Sequence, residues 1–300
     1  MNLKDEYNKA FVDDLALKLS AKASFFDKKS FVKSIINDKW EQRELKDRVK
    51  CISHQMNEHI QLPYKKQIKI LSEISLNYKG LPAFVFPNFV EQFGLNDFTT
   101  SIKAMEIFTQ QSTAEFAIRP FIEKYPKETM QQMLEWSNHK NEHLRRLSSE
   151  GCRPRLPWAT PLREFIKDPS PCLPILENLK NDDSEYVRKS VANHLNDISK
   201  NHPEIVLNFG NNWYGKSSNT NWIVKHALRT LLKKGDKKAL AIFGLNDANK
   251  LEVENLKLSH KEIKIGDFLF FNFDVVNQSI KERSIRLEYK VDYVKLHYLQ

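Results

Sequence analysis

The sequence predicts a mostly α-helical protein built as a helical repeat and ending in a short β segment. Three observations predict this. Only eight glycines occur in 300 residues, and most of the first 250 positions carry apolar residues at a 3.6-residue period. From about Asn96 a helix-pair pattern recurs, at spacings of 43 and 37 residues. After Leu251 the period changes to two, the mark of half-buried strands.

Taken in order, Phe11, Leu15 and Leu17 with Phe25 and Phe26 begin an amphipathic pair of helices. Trp40 to Ile60 is another helical stretch, carrying Leu45, Val49, Ile52 and Met56. Ile68, Leu71, Ile74 and Leu76 make a further helix, stopped near Gly80-Leu81-Pro82. Residues 81–93 are aromatic and proline-punctuated, and read as a packed connector.

The repeat aligns Asn141-Glu-His-Leu-Arg145-Arg146-Leu-Ser with Ser184-Glu-Tyr-Val-Arg188-Lys189-Ser-Val and with Asn221-Trp-Ile-Val-Lys225-His226-Ala-Leu. Each copy has a polar N-cap, an apolar residue three later, two basic or histidine residues, then small or apolar positions. Each follows a shorter helix, at residues 128–136, 173–180 and 204–209. Helix pairs at this period are HEAT-like: they stack into a solenoid with a concave face for a long partner. Arg145/Arg146, Arg188/Lys189 and Lys225/His226 would then form a ladder of positive charge suited to tracking phosphates.

In the C-terminal region, Phe271, Phe273 and Val275 alternate after Gly266. Ile285, Leu287, Tyr289, Val291 and Tyr293 alternate with charged residues. The expected organisation is therefore a helical-repeat domain over residues 1–250 and a β segment over residues 251–300.

Composition narrows the function. The formal net charge is +9, which points to a polyanion, most simply nucleic acid. Cys51, Cys152 and Cys172 form no CxxC pair, so neither a zinc ribbon nor a disulfide framework is expected. The N-terminus lacks the apolar stretch of a signal peptide, and no run of 18 apolar residues exists to span a membrane. A monomeric cytoplasmic protein without a cofactor is expected. No Gly-rich phosphate loop, GxSxG or HExxH motif is present. His139 and His143 stand at i, i+4 but lack further ligands for a metal. Cys152 has no evident histidine partner for thiol catalysis beyond that same pair.

The run Gly151-Cys-Arg153-Pro-Arg155-Leu-Pro-Trp158 is stiffened by two prolines and holds two guanidinium groups beside an indole. It suits a phosphate backbone next to a sugar or base. It equally suits an ordinary connector whose tryptophan enters the core. Two acids stand out. Glu115 lies among apolar neighbours and either pairs with Arg119 at i, i+4 or faces the groove. Asp197 lies on the flank of a helical face made by Val187, Val191, His194, Leu195 and Ile198. It is either a polar flank residue or a groove acid. Acids repel phosphate, so an acid kept in a basic groove suggests chemistry. A carboxylate beside a deoxyribose C1′ stabilises an oxocarbenium-like transition state and can orient a water.

Glu115-Phe-Ala-Ile-Arg-Pro-Phe121, Arg153-Pro-Arg-Leu-Pro-Trp158 and Ser190-Val-Ala-Asn-His-Leu-Asn-Asp197, in this order and spacing, closely resemble the AlkC branch of the AlkC/AlkD-type DNA alkylation repair glycosylases. The resemblance runs through most of residues 1–250. It implies a HEAT-like solenoid that binds duplex DNA in a basic groove. It also implies hydrolysis of the N-glycosidic bond of alkylated bases (3-methylcytosine, 1-methyladenine and 3-methyladenine) without base flipping. By position, Glu115 and Asp197 would face the lesion's sugar and Trp158 would pack on the deoxyribose. Arg153 and Arg155 would bind or wedge the backbone, with Arg146, Arg188 and Lys225 as further DNA contacts. The β segment resembles the start of the immunoglobulin-like domain that some AlkC proteins carry. Such a domain needs roughly 100 residues and seven strands, and about 50 residues follow Leu251. A truncated or partial sheet with open edges is therefore expected, and with it instability or self-association. The rival expectation is a non-catalytic HEAT-repeat module that binds DNA or protein, with an apolar or mixed-charge concave face.

Overall fold

The computed structural model describes residues 2–245, 251–280, 282, 285 and 287. The chain forms two compact units, Met1–Thr230 and a second that begins at Leu231.

The first unit is helical throughout. Helix α1 (Lys9–Lys22) starts at Asn8, whose side chain accepts from the Phe11 amide, and it buries Val12, Leu15, Ala16 and Leu19. Leu17 falls on its exposed side. Asp27 caps α2 (Lys28–Ile35), which buries Phe31 and Ile35. Phe25 and Phe26 lie in the link between these helices, Phe26 buried and Phe25 exposed. Helix α3 runs from Leu45 to Ile60. Trp40, expected in this helix, instead lies in the preceding turn, where the Arg48 guanidinium sits 4.7 Å from its ring centre.

After α4 (Tyr64–Ser75), the stretch expected to be a connector is itself helical. A 3₁₀ turn at Leu81–Phe84 leads straight into α5 (Val85–Phe93). Pro82 and Pro87 mislead the eye here. Both sit in the first turn of their element, where the missing amide proton has no intrahelical partner to lose. Helix α5 buries Val85, Phe86, Phe89 and Val90, the apolar centre of this half.

Helices α6 (Phe98–Phe108) and α7 (Arg119–Lys124) open the repeat region. The repeat follows as pairs: α8 (Pro126–Trp136) with α9 (Glu142–Glu150), then, past α10 (Arg163–Lys167), α11 (Leu173–Asn178) with α12 (Glu185–Ile198), and finally α13 (Pro203–Trp213) with α14 (Ser218–Ala227). The second helices stack on one another, α9 on α12 and α12 on α14, which is the solenoid the repeat predicts. Asn141 caps α9 as expected. In the third copy the cap is Ser217, reciprocally bonded with Thr220, and Asn221 instead accepts from the Gly215 amide at 2.6 Å.

The second unit carries a short helix at Lys237–Ile242 and an antiparallel pair, β1 (Leu251–Leu258) and β2 (Phe271–Asn277). The register runs from Leu251 opposite Asn277 to Leu258 opposite Phe271, with an irregularity between Glu254 and Lys257 where Asn255 takes a φ of 54°. The Phe271–Phe273–Val275 alternation is β2. Of the alternation expected over 285–293, Tyr289, Val291 and Tyr293 lie outside the described residues.

Candidate active site

The site is built where α9 ends. A Cβ on Gly151 would lie 2.5 Å from Ile118 Cγ2 and 3.1 Å from the Leu147 carbonyl, so only glycine lets the end of α9 close on the turn before α7. The chain then enters the arginine–proline loop. Arg119, the first residue of α7, is buried beneath it. Its Nη1 donates to the carbonyls of Gly151 at 3.0 Å and Arg153 at 2.9 Å, and its Nη2 to that of Thr160 at 2.7 Å. Burial holds this guanidinium below its ordinary pKa. Arg119 is thus the clamp that shapes the loop, and the i, i+4 pair with Glu115 does not form.

The loop projects Trp158 outward. Its side chain is 71% exposed and its φ is 64°, a region costly for a non-glycine residue. Its carbonyl accepts from Lys46 Nζ, which also lies 4.4 Å over the Phe116 ring. The alternative that places this tryptophan in the core is therefore excluded.

Behind the loop, acids and guanidinium groups alternate in one buried row. Glu115 is not on a helix; it sits in the turn leading to α7, 12% exposed. Arg146 Nη1 donates to its Oε2, as does Thr113 Oγ1 at 2.8 Å. Arg146 also reaches Glu150 Oε1 at 3.4 Å and stacks 4.9 Å over the Tyr186 ring. Arg153, 7% exposed, donates through Nη1 to Glu150 Oε1 at 2.6 Å and through Nε to Asp197 Oδ2 at 2.9 Å. Lys200 Nζ donates to Asp197 Oδ1 at 3.1 Å. Burial alone would push the Glu150 carboxyl up, but Arg146 and Arg153 outweigh it and hold the group below the usual carboxylate range.

Glu115, Glu150, Arg153 and Trp158, with Phe84 and Phe116, line one cleft of about 360 Å³. Asp197 does not line it and is linked to it through Arg153. Glu150 is the acid that sequence reasoning missed. A signal for it exists: an acid in the last turn of α9 opposes the helix dipole and needs a partner.

The expected DNA-binding cations divide. Arg146 and Arg153, expected to meet phosphate, point inward onto carboxylates because a buried guanidinium needs opposite charge. Arg155 Nη2 donates to Asn201 Oδ1 at 3.0 Å. Arg188 Nη1 donates to the carbonyls of Asp182 and Asp183, each at 2.8 Å. Arg145 does the same for His139 and Lys140 and pairs with both oxygens of Asp182. The repeated arginine therefore locks the turn before its own helix. That accounts for its recurrence without a phosphate ladder. Lys225, at the equivalent position, is exposed. His139 accepts from the Asn141 amide and His143 packs on Tyr186, so the two histidines are separately engaged.

Residues 103–231 match the model of the DNA alkylation repair enzyme family. A Bacillus subtilis (strain 168) protein, the uncharacterized YhaZ, is 44% identical over 294 residues, spanning 98% of this chain and 82% of that one. The solved Pseudomonas fluorescens alkylpurine DNA glycosylase AlkC, bound to DNA containing an abasic site analog, is similar with a TM-score of 0.80. It is 36% identical, over 92% of this chain and 76% of that one. The chain belongs to the DNA alkylation repair enzyme family, in its AlkC/AlkD-type branch. The family span contains the whole acid–guanidinium row and Trp158, whereas Lys46 and Phe84 reach the cleft from outside it.

Proposed function

We propose that this chain is a DNA N-glycosylase that hydrolyses the bond between deoxyribose C1′ and a cationic alkylated base in duplex DNA. The observation that carries the proposal is the charge balance at the cleft. Two buried acids, Glu150 and Asp197, and the partly buried Glu115 meet two arginines, the partly buried Arg146 and the buried Arg153. Within the row the acids exceed the arginines by one charge; Lys200 offsets it from the half-exposed far end, and Arg119 and Arg229 act on Glu115 and Asp197 from outside the row.

That excess suits a reaction whose positive charge moves from base to sugar. A base alkylated on a ring nitrogen already carries the charge, so it leaves with the C1′–N electron pair as a neutral molecule and needs no general acid. The charge passes to the C1′–O4′ unit, which a carboxylate a few ångströms away stabilises. At 4 Å the attraction is about 4 kcal/mol for an effective dielectric constant near 20. Water then bonds to C1′ and gives its proton to a carboxylate. Glu115 is assigned this task, because Arg146 and Thr113 both bind its Oε2 and leave Oε1 to accept from the water. Asp197 holds Arg153 and adds negative potential, and Trp158 supplies an exposed aromatic wall for the deoxyribose. Arg155 and Lys225 remain the proposed backbone contacts, with Arg188 a weaker one.

The substrates proposed are 3-methylcytosine, 1-methyladenine and 3-methyladenine, taken without base flipping by a cytoplasmic monomer. The similarity to a glycosylase solved with abasic-site DNA supports this reading. The test is incubation with a duplex holding one 3-methylcytosine, followed by alkaline cleavage at abasic sites. Strand cleavage at the lesion is expected. Tight DNA binding with no cleavage would instead favour the non-catalytic repeat module.

A further inference from the structure

Three residues that share no local motif converge beside the catalytic loop. Cys152 follows the end of α9, Cys172 ends a 3₁₀ turn at Ser170–Cys172, and His194 lies on α12. All three are fully buried, and their two sulfurs and an imidazole nitrogen lie within 4.8 Å of one another. The sequence spacing hides this set, since the fold brings it together and no CxxC knuckle does.

The histidine has one nitrogen open to a ligand role. Its Nδ1 lies 2.9 Å from the Ser149 carbonyl, which cannot donate, so Nδ1 carries the proton and Nε2 the lone pair. Nε2 is buried and has no hydrogen-bond partner. A buried polar atom left so costs about 1–3 kcal/mol. An imidazole whose second nitrogen donates to a carbonyl is the usual arrangement around a bound metal.

We propose that Cys152, Cys172 and His194 form a structural site for one thiophilic divalent cation, zinc. Binding converts two thiols to thiolates, releases two protons to solvent and leaves the dry site neutral. Bond lengths of about 2.3 Å to sulfur and 2.0–2.1 Å to nitrogen require the donor atoms to close by roughly 1 Å. The site pins the active loop. Cys152 precedes Arg153, and His194 precedes Asp197 by one helical turn, so the ion fixes the distance across which Arg153 holds Asp197.

The test uses the full-length protein, stripped by a strong chelator and titrated with zinc against a chromophoric competitor. A parallel titration uses cobalt to read thiolate coordination by its charge-transfer absorption. One equivalent per chain, a thiolate–cobalt band and a higher Tm with zinc are expected. His194→Asn and Cys172→Ser should each weaken zinc binding by more than the about 10–100-fold typical of second-shell losses. If either variant fails to fold, the wild-type titration still decides. No zinc-dependent change in Tm with no cobalt band, or a Cys152–Cys172 disulfide in the purified protein, would overturn the site.

Discussion

Arg153 reaches Asp197 through two nitrogens, Nε at 2.9 Å and Nη2 at 2.8 Å, and both meet the same oxygen, Oδ2. The remaining Nη1 is on Glu150. One guanidinium thus joins the end of α9 to the end of α12, across 44 residues of sequence. Removing it leaves two buried acids with only their weaker partners, Arg146 at 3.4 Å from Glu150 and the half-exposed Lys200 at 3.1 Å from Asp197. Arg153→Ala should destabilise the protein by about 3–5 kcal/mol, read as a shift in the urea midpoint. Arg153→Lys should recover only part of this, because an ammonium cannot fork between two carboxylates. A loss below 1 kcal/mol for the alanine variant, against that estimate, would mean that the acids find other partners.

Glu150 gives the pH dependence a sign. Its folded pKa lies below its unfolded value of about 4.3, so the unfolded chain binds the extra proton between the two. The contribution is fully present above the unfolded value and is lost as pH falls through the folded one. Glu150→Gln should therefore show a shallower loss of stability below about pH 4 than the wild type. Denaturant midpoints across that window check it, and parallel curves would remove Glu150 from the acid sensitivity.

Trp158 should separate stability from function. It is exposed and its backbone is strained, so Trp158→Gly removes an indole and relieves a positive φ together. Stability should stay within about 0.5 kcal/mol, while affinity for abasic-site DNA falls by about 1–3 kcal/mol, the range for a lost stacking group. Unchanged affinity in a filter-binding titration would take the tryptophan out of the DNA interface.

The contact between Gly151 and Ile118 is a steric limit. Gly151→Ala should cost about 1–3 kcal/mol by overpacking, and Ile118→Ala in the same chain should return part of it. A double-mutant cycle with no coupling would contradict the close approach.

The repeat was legible because stacking demands the same apolar positions in each copy, and α9, α12 and α14 follow that register. Its basic pairs were legible as recurring residues but not as turn locks. An arginine that bonds carbonyls five and six residues back gives the same letters as one bound for phosphate. The α5 helix was hidden by prolines that fall in first turns. Glu115 and Asp197 were visible as acids in apolar or basic surroundings. Glu150 carried only the weaker signal of an acid in the last turn of a helix; its arginines at i−4 and i+3 are local, but the burial that gives the group its weight comes from the packing of α9 on α12. Lys46 reaches the Trp158 carbonyl from 112 residues away, and no local pattern reports such a contact.

A carboxylate at the cleft that does chemistry on the sugar is tested most directly by Glu115→Gln. The amide keeps the size of the side chain and removes its charge and basicity. Single-turnover excision of 3-methylcytosine is measured beside the affinity for DNA with an abasic-site analogue. Excision slower by about 10²–10⁴-fold, with affinity unchanged, is the predicted result. Excision at the wild-type rate, or a loss that only follows weakened binding, would contradict it.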